Sequence, residues 1–168
     1  EERPKLTIDW QPIDWLIETI GAIALVLMIL LPILYLGILP DEVPRHFNAA
    51  GEADAMGSKN TIFLLSGIGF LMYISLWYLN KFPHTFNFPT KITKENAYIQ
   101  YQNATRMMRT VNTFIAISFA YITYMIIQNG LGNANGLGRY FTPIFLGLTF
   151  LIVFLGIYNA AKKKPTPA

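Results

Sequence analysis

The chain of 168 residues is 53% hydrophobic and only 14% charged, and it carries a formal net charge of +3 at pH 7. This balance differs strongly from that of a soluble globular domain, so the apolar residues require an apolar environment. The absence of cysteine from the sequence excludes a disulfide framework and thiolate chemistry. The basic residues form no recognition motif, and we therefore expect no nucleic-acid partner.

Four long stretches of the sequence contain no charged residue, and each is long enough to cross a bilayer. A hydrocarbon core of roughly 30 Å requires about 20 helical residues. The sequence therefore predicts an all-α integral membrane protein, a single four-helix transmembrane domain over residues 1–168. The predicted spans are 16–39, 60–80, 110–129 and 140–161.

Lysine and arginine residues concentrate in alternate connections, which predicts the orientation of the spans. Basic residues near the ends of spans are retained on the cytoplasmic side. We therefore expect both termini and the loop 81–109 to be cytoplasmic, with the other two connections facing outward. The ten residues on the expected cytoplasmic side are Arg3, Lys5, Lys81, Lys91, Lys94, Arg106, Arg109, Lys162, Lys163 and Lys164.

Two acidic residues, Asp14 and Glu18, lie four residues apart where the first span begins, so they share one helix face. One interpretation places them at the membrane interface beside Trp15, paired with Lys91 or Arg109 of the assembled bundle. The alternative is a proton relay into the bundle. No Asp, Glu, Lys, Arg or His lies in the middle of a predicted span. We therefore do not expect a proton-coupled transporter.

Residues 43–59, VPRHFNAAGEADAMGSK, form a polar loop between the first two spans. His46, Glu52 and Asp54 are side chains that can bind metals or transfer protons. Their spacing matches neither a zinc-binding helix nor a calcium loop. No serine elbow or second histidine accompanies them in the outward loops. We expect no metal, no cofactor and no enzyme activity.

A structural interpretation of this loop assigns its distinctive residues to local backbone geometry. Gly51 and Gly57 would make turns, because glycine accepts backbone angles that other residues avoid. Asn48 and Asp54 would bond to neighbouring backbone groups, and residues 46–47 would pack the loop onto the helix ends.

The functional interpretation treats the loop as an outward binding surface for a peptide or a membrane protein partner. Residues 41–59 contain four acidic and two basic side chains, which favours a cationic peptide. The candidate binding residues are Pro44, His46, Asn48, Gly51, Glu52, Asp54 and Lys59.

The segment after Lys81 begins irregularly with FPHTFNFPT, and a helix is then predicted from Thr93, with Glu95 in its first turn. It forms an amphipathic stem of about four turns before the third span. Its predicted apolar face consists of Ala97, Tyr101, Ala104, Met108 and Val111, and its other faces carry Lys94, Gln102, Arg106 and Arg109.

Small residues in the second and third spans predict close contact between helices. They are Ser66, Gly67, Gly69, Ala116 and Ala120. The last connection, NGLGNANGLG, has the composition of a plain tight turn between helices.

The stretch LPDEVPRHFNAAGEADAMGSK resembles the signature of a family of bacterial membrane proteins of uncharacterised function. The same domain forms the N-terminal part of SdpI-type immunity proteins, which protect against a secreted killing peptide. In this sequence Val43 stands where the family usually has isoleucine. The positions that match are Pro44, His46, Phe47, Asn48, Gly51, Asp54 and Lys59. The cytoplasmic FNFPTKIT also resembles a second family motif, which makes Asn87 and Pro89 candidate binding residues and extends the resemblance over roughly 20–115.

This resemblance implies a non-enzymatic, multi-pass protein of the bacterial cytoplasmic (inner) membrane that acts in immunity or envelope signalling. Its outer loop would meet an extracytoplasmic peptide, and its cytoplasmic face would communicate onward. SdpI-type proteins continue into a further membrane domain, for which 168 residues leave no room, so we do not expect capture of a repressor. The alternatives are an accessory subunit of a larger membrane complex and a metal-dependent membrane enzyme. Expected partners are membrane lipids and either a cationic peptide or a membrane protein.

Overall fold

A computed structural model of the chain describes residues 3–161, which form four long helices and one small β-hairpin. By length and composition, all four helices are able to cross a membrane. The architecture is thus mostly helical, as predicted, and is that of a multi-pass membrane protein. The predicted cytoplasmic residues 162–164 lie outside the described residues. The helices are α1 (Pro12–Tyr35), α2 (Ile62–Leu79), α3 (Ala97–Gly130) and α4 (Phe141–Ala161).

Helix α3 is the central element, because it packs against α1, α2 and α4. Its 34 residues form one continuous helix, so the predicted stem and the predicted third span are a single rod. Helix α4 packs mainly against α3, and none of its residues is buried. Helix α1 begins at Pro12, four residues before the predicted span, because a proline at the first helical position costs no backbone hydrogen bond.

The loop between the first two helices is an antiparallel β-hairpin, so the prediction of an all-α chain was wrong at this point. Strand β1 (Glu42–Phe47) pairs with strand β2 (Ala53–Ser58). The turn between them is held by Asn48, whose Oδ1 accepts hydrogen bonds from the backbone N–H groups of Ala50 (2.9 Å) and Glu52 (3.0 Å). Gly51 completes the turn with φ of +82°, a conformation that favours glycine.

The hairpin is anchored by an apolar cluster at the ends of the helices. Val43 is fully buried, and it packs together with Ile62 of α2 and Ile127 of α3. Phe47 packs against the same cluster. Burial of these side chains, rather than strand propensity, therefore fixes the hairpin against the bundle.

Close packing in the middle of the bundle confirms the prediction from small residues, with one exception. A Cβ atom on Gly69 would meet the sulfur of Met28 and, at 2.8 Å, the ring of Phe119. Ala116 and Ala120 belong to the same buried cluster. Gly67, in contrast, has no neighbour within 4 Å of the place its Cβ would occupy.

The connection between α3 and α4 does more than turn the chain. The Asn129 side chain forms two hydrogen bonds with the backbone of Gly136. Its Nδ2 donates to the Gly136 carbonyl oxygen (3.0 Å), and its Oδ1 accepts from the Gly136 N–H (2.5 Å). The neighbouring Leu137 N–H then donates to the Gly51 carbonyl oxygen in the hairpin turn, at 2.6 Å. The hairpin and residues 131–140 therefore form one structural unit, which we call the hairpin end of the bundle. The opposite end, comprising residues 3–12, 80–96 and the first turns of α3, is called the stem end.

Candidate functional site

The hairpin end contains a groove of about 650 Å³ that combines hairpin residues with a helical apolar surface. Residues 44–49 line one side of it. Leu64 and Ile68 of α2, Ile122 and Ile126 of α3, and Phe141 of α4 supply apolar side chains. The residues of α2 and α3 form the floor of the groove, and Phe141 of α4 lies at its side.

Three of the seven predicted hairpin residues, Pro44, His46 and Asn48, line this groove. The other four support the hairpin from elsewhere. Gly51 forms the turn that binds residues 131–140. Lys59 contacts the Leu39 carbonyl oxygen (3.2 Å) and the Asp41 carboxylate (3.3 Å), which ties the base of the hairpin to the chain that follows α1.

The remaining two predicted residues, Glu52 and Asp54, orient groove residues. The Glu52 carboxylate accepts a hydrogen bond from the Asn48 side-chain amide at 3.0 Å. The Asp54 carboxylate lies 2.5 Å from Nδ1 of His46, whose side chain is 67% exposed. These contacts set the directions in which the Asn48 amide and the His46 ring can meet a ligand.

The structural interpretation of the loop is therefore correct only in part. Gly51 makes a turn, Asn48 bonds to backbone, and Phe47 packs onto the helix ends, as that interpretation predicts. Gly57 instead lies within β2, where a Cβ atom would be 2.8 Å from the side chain of Arg45. Asp54 bonds to the His46 ring and not to backbone.

The geometry does not assemble His46, Glu52 and Asp54 into one set of ligands, because Glu52 turns toward Asn48. Within residues 3–161, no group of three or more His, Cys, Asp or Glu side chains is arranged to hold a metal ion. Arg45 also lines the groove beside His46, although it was not among the predicted binding residues. Its position next to His46 in the motif was the signal that could have identified it.

At the stem end, the charges of α1 and α3 form a compact cluster. Asp14 is only 1% exposed, and Arg106 donates to its two carboxylate oxygens at 2.9 and 3.1 Å. Arg109 lies 3.5 Å from Asp14 and 3.6 Å from Glu18. Glu18 also accepts a hydrogen bond from the Tyr73 hydroxyl at 3.1 Å. We call Asp14, Glu18, Arg106 and Arg109 the charge cluster.

The predicted pairing of the two acids with Arg109 is thus confirmed, whereas Lys91 is exposed and takes no part in the cluster. Arg109, which was predicted to lie off the apolar face of the stem, is nevertheless only 6% exposed. Ala97 and Tyr101 of the predicted apolar face are fully buried as well, so the stem turns both apolar side chains and Arg109 toward the bundle. The matched spacing of two acids and two arginines along facing helices was the overlooked signal.

The predicted cytoplasmic residues Asn87 and Pro89 are both exposed, at the end of the bundle opposite the hairpin. The segment around them is held by Arg3, which donates to the carbonyl oxygens of Phe86 (2.6 Å) and His84 (3.1 Å). Phe88, between the two predicted residues, packs against the Tyr101 ring with centroids 5.6 Å apart. The motif therefore anchors through its aromatic residues and presents Asn87 and Pro89 outward.

Helix α3 begins at Ala97, four residues after the predicted start. Thr93 and Glu95 lie in the chain just before it, where the Ala97 N–H donates to the Thr93 carbonyl oxygen at 3.0 Å. A hydrogen bond from the Thr93 side chain holds the pKa of the Glu95 carboxyl below its usual value.

Comparison with known proteins finds a domain match that covers the hairpin and parts of the flanking helices, but not the stem end. Residues 23–70 match DUF1648, a domain of unknown function. This match contains all seven hairpin candidates and excludes both Asn87 and Pro89. An uncharacterized protein of Archaeoglobus fulgidus is 25% identical to the chain over 149 residues, which are 80% of this chain and 81% of that protein. No solved structure matches the chain. The chain is therefore similar to a domain of unknown function, through its hairpin and parts of the flanking helices, and to an uncharacterized archaeal protein.

Proposed function

We propose that this chain is a non-enzymatic protein of the cytoplasmic membrane that recognises an extracytoplasmic peptide or membrane partner in the groove beneath its hairpin. The observation that carries this proposal is the composition of the groove. Its rim is polar, with His46 and Asn48 held by Asp54 and Glu52, and its floor is apolar. A volume of about 650 Å³ falls within the range of known ligand sites.

An amphipathic peptide fits this combination best. Its apolar side chains would contact the α2 and α3 residues of the floor, and its polar groups would bond to the rim. The acidic side chains of Glu52 and Asp54 lie beside the rim but do not line the groove, so they would meet cationic residues outside the apolar segment. This arrangement supports a cationic ligand with one hydrophobic face.

The orientation in the membrane is also part of the proposal. The excess of Lys and Arg at the stem end supports a cytoplasmic location for that end, following the positive-inside rule. The groove would then open toward the outside. A role in immunity or envelope signalling is supported by the resemblance of the hairpin to SdpI-type immunity proteins, and it implies a bacterial type of membrane system.

One observation favours a second candidate function, that of an accessory subunit. Helix α4 buries none of its residues and packs mainly against α3. A larger membrane complex that covers its free faces would bury apolar side chains there. Purification from native membranes separates the two candidates, since a subunit leaves the membrane with stoichiometric companions.

We expect that filling the groove abolishes recognition while the hairpin stays folded. Ala49 is exposed and lines the groove, so the indole ring of Ala49→Trp should occupy the space of the ligand. We expect this variant to lower the peptide concentration that the cells survive by at least about tenfold, the effect of losing a central contact. The assay is survival of host cells that express each variant and are challenged with cationic amphipathic peptides of about 20 residues, long enough to span the groove as a helix.

The matched control is Ala53→Trp, which places the same side chain on an exposed hairpin position outside the groove lining. This variant should protect within about twofold of the parent chain. Equal loss for both variants, or no protection by the parent chain against any of the peptides, would contradict peptide recognition in the groove.

A further inference from the structure

The stem end contains a separate cleft of about 300 Å³ that the groove does not explain. It lies between the N-terminal segment, the end of α2 and the first turns of α3. The wall residues that matter chemically are Trp10, Glu18, Trp77, Asn80, Lys81 and Arg109. Tryptophan and lysine at the end of a span are typical of the membrane interface, so the cleft lies at the depth of lipid headgroups.

Two cations in this wall are each backed by an indole ring. The Lys81 ammonium lies 3.8 Å from the centroid of the Trp77 ring, and the Arg109 guanidinium lies 4.2 Å from that of Trp10. Cation–π contacts of this kind hold the positive group in place without neutralising it. Lys81 forms no ion pair with a carboxylate within residues 3–161.

The net charge of the wall is positive. Glu18 is its acidic member, and that carboxylate is already shared between Arg109 at 3.6 Å and the Tyr73 hydroxyl at 3.1 Å. No acidic side chain of the wall therefore balances the positive charge of Lys81. An anion is therefore the favoured ligand.

The wall also carries a buried donor and a buried acceptor without hydrogen-bond partners in the described part of the chain. Arg109 is more than nine-tenths buried, and its Nε–H faces a Glu18 carboxylate oxygen at 3.6 Å, which is longer than a hydrogen bond. The Oδ1 atom of Asn80 has no donor, although its amide donates to the Thr105 carbonyl oxygen at 3.1 Å. Buried polar groups are normally paired, so these two atoms point to a ligand that both accepts and donates.

We propose that the stem-end cleft binds a phosphate ester whose alcohol carries a hydroxyl group. The phosphate oxygens accept from Arg109 and attract Lys81, because phosphate is both anionic and rich in acceptors. The hydroxyl donates to Asn80. The headgroup of a glycerol-bearing anionic phospholipid has this chemistry, as does free glycerol phosphate. This proposal is independent of peptide recognition in the groove.

The test uses the intrinsic fluorescence of the purified full chain in an uncharged detergent. The sequence contains three tryptophans, and Trp15→Phe leaves only Trp10 and Trp77, which both line the cleft. This variant is titrated separately with dihexanoylphosphatidylglycerol, glycerol 3-phosphate, inorganic phosphate and dihexanoylphosphatidylcholine. We expect a saturable change with the phosphatidylglycerol and at least about tenfold weaker binding of the phosphatidylcholine, whose headgroup has no net charge and no donor.

Two further variants in the same background assign the binding to the cleft. Lys81→Gln should weaken phosphatidylglycerol binding about fivefold, the effect of removing one basic residue near an anionic headgroup. Lys91→Gln, an exposed lysine of the same end outside the cleft wall, should leave it unchanged.

Equal effects of the two lysine variants, or the absence of a saturable change with every ligand, would overturn the site. Binding of inorganic phosphate as tightly as phosphatidylglycerol would overturn the role of the ester and of the lipid. Glycerol 3-phosphate binding as tightly as the lipid would support the phosphate ester chemistry and identify the free ester as a sufficient ligand.

Discussion

Replacing Asp14 by alanine should be among the most destabilising single changes in the chain. Asp14 is 1% exposed and accepts two hydrogen bonds from Arg106, while Arg109 lies 3.5 Å away. Removal of one partner leaves buried positive charge uncompensated, which costs about 3–5 kcal/mol in other proteins. We expect a corresponding loss in the free energy of unfolding, measured by denaturant titration in detergent with tryptophan fluorescence as the signal.

Asp9→Ala provides the control for this change. Asp9 is an exposed acid of the same N-terminal region, with a single long hydrogen bond of 3.4 Å from the Tyr98 hydroxyl. Its removal should change the free energy of unfolding by less than about 1 kcal/mol. Equal stabilities of the Asp14→Ala and Asp9→Ala variants would show that the charge cluster does not hold α1 against α3.

Replacing Gly136 by alanine should separate the two parts of the hairpin end. A Cβ atom at this position would overlap the Gly51 carbonyl oxygen, which belongs to backbone and cannot rotate away. The backbone angle φ of +77° adds strain for any side chain. We expect a loss of at least about 2 kcal/mol in the free energy of unfolding. Hydrogen exchange of the amides in the turn 48–52 should become faster.

Gly132→Ala separates the steric clash from the backbone strain. Gly132 lies in the same connection with φ of +76°, but no atom lies within 4 Å of the place its Cβ would occupy. This variant should lose only the strain of a left-handed residue, about 1–2 kcal/mol, and should leave hydrogen exchange in the hairpin turn unchanged. Faster exchange of the turn in both variants would mean that contact with Gly136 does not hold the hairpin.

The spans were predictable because their signal is local and strong. Long uncharged stretches identify helices of membrane length without knowledge of their neighbours. The hairpin was not predictable in this way, since β1 contains Pro44 and β2 contains Gly57, both poor strand residues. Its stability comes from burial of Val43 and Phe47 against helices that lie elsewhere in the sequence. The packing of Phe47 onto the helix ends was predicted, but nothing in the pattern of residues 42–58 indicated that Val43 is buried there as well.

The candidate site was predictable as a set of residues but not as a shape. His46 and Asn48 line the groove, and their side chains are paired with those of Asp54 and Glu52 respectively. The floor of the groove is made by α2 and α3, whose apolar residues look alike in sequence whether they face lipid or a ligand. The charge cluster was predictable in part. The spacing of Asp14 and Glu18 predicted that they share one helix face, and Arg109 was one of the two partners proposed for them.

One helix connects the two ends of the molecule. Helix α3 supplies Ile126 to the groove and Arg109 to the charge cluster, and it is continuous between them. A ligand that shifts α3 at the hairpin end would therefore act on the stem end through a rigid element. We propose that signalling between the groove and the stem end uses this helix.

Cysteine labelling in intact cells tests the central claim, that the groove and the charge cluster lie on opposite sides of the membrane. The chain contains no cysteine, so single replacements at the exposed positions Ala50 and Asn87 give unambiguous sites. We predict that a membrane-impermeant maleimide labels the Ala50→Cys variant in intact cells and the Asn87→Cys variant only after permeabilisation. Labelling of both variants in intact cells, or of the Asn87→Cys variant alone, would contradict this account.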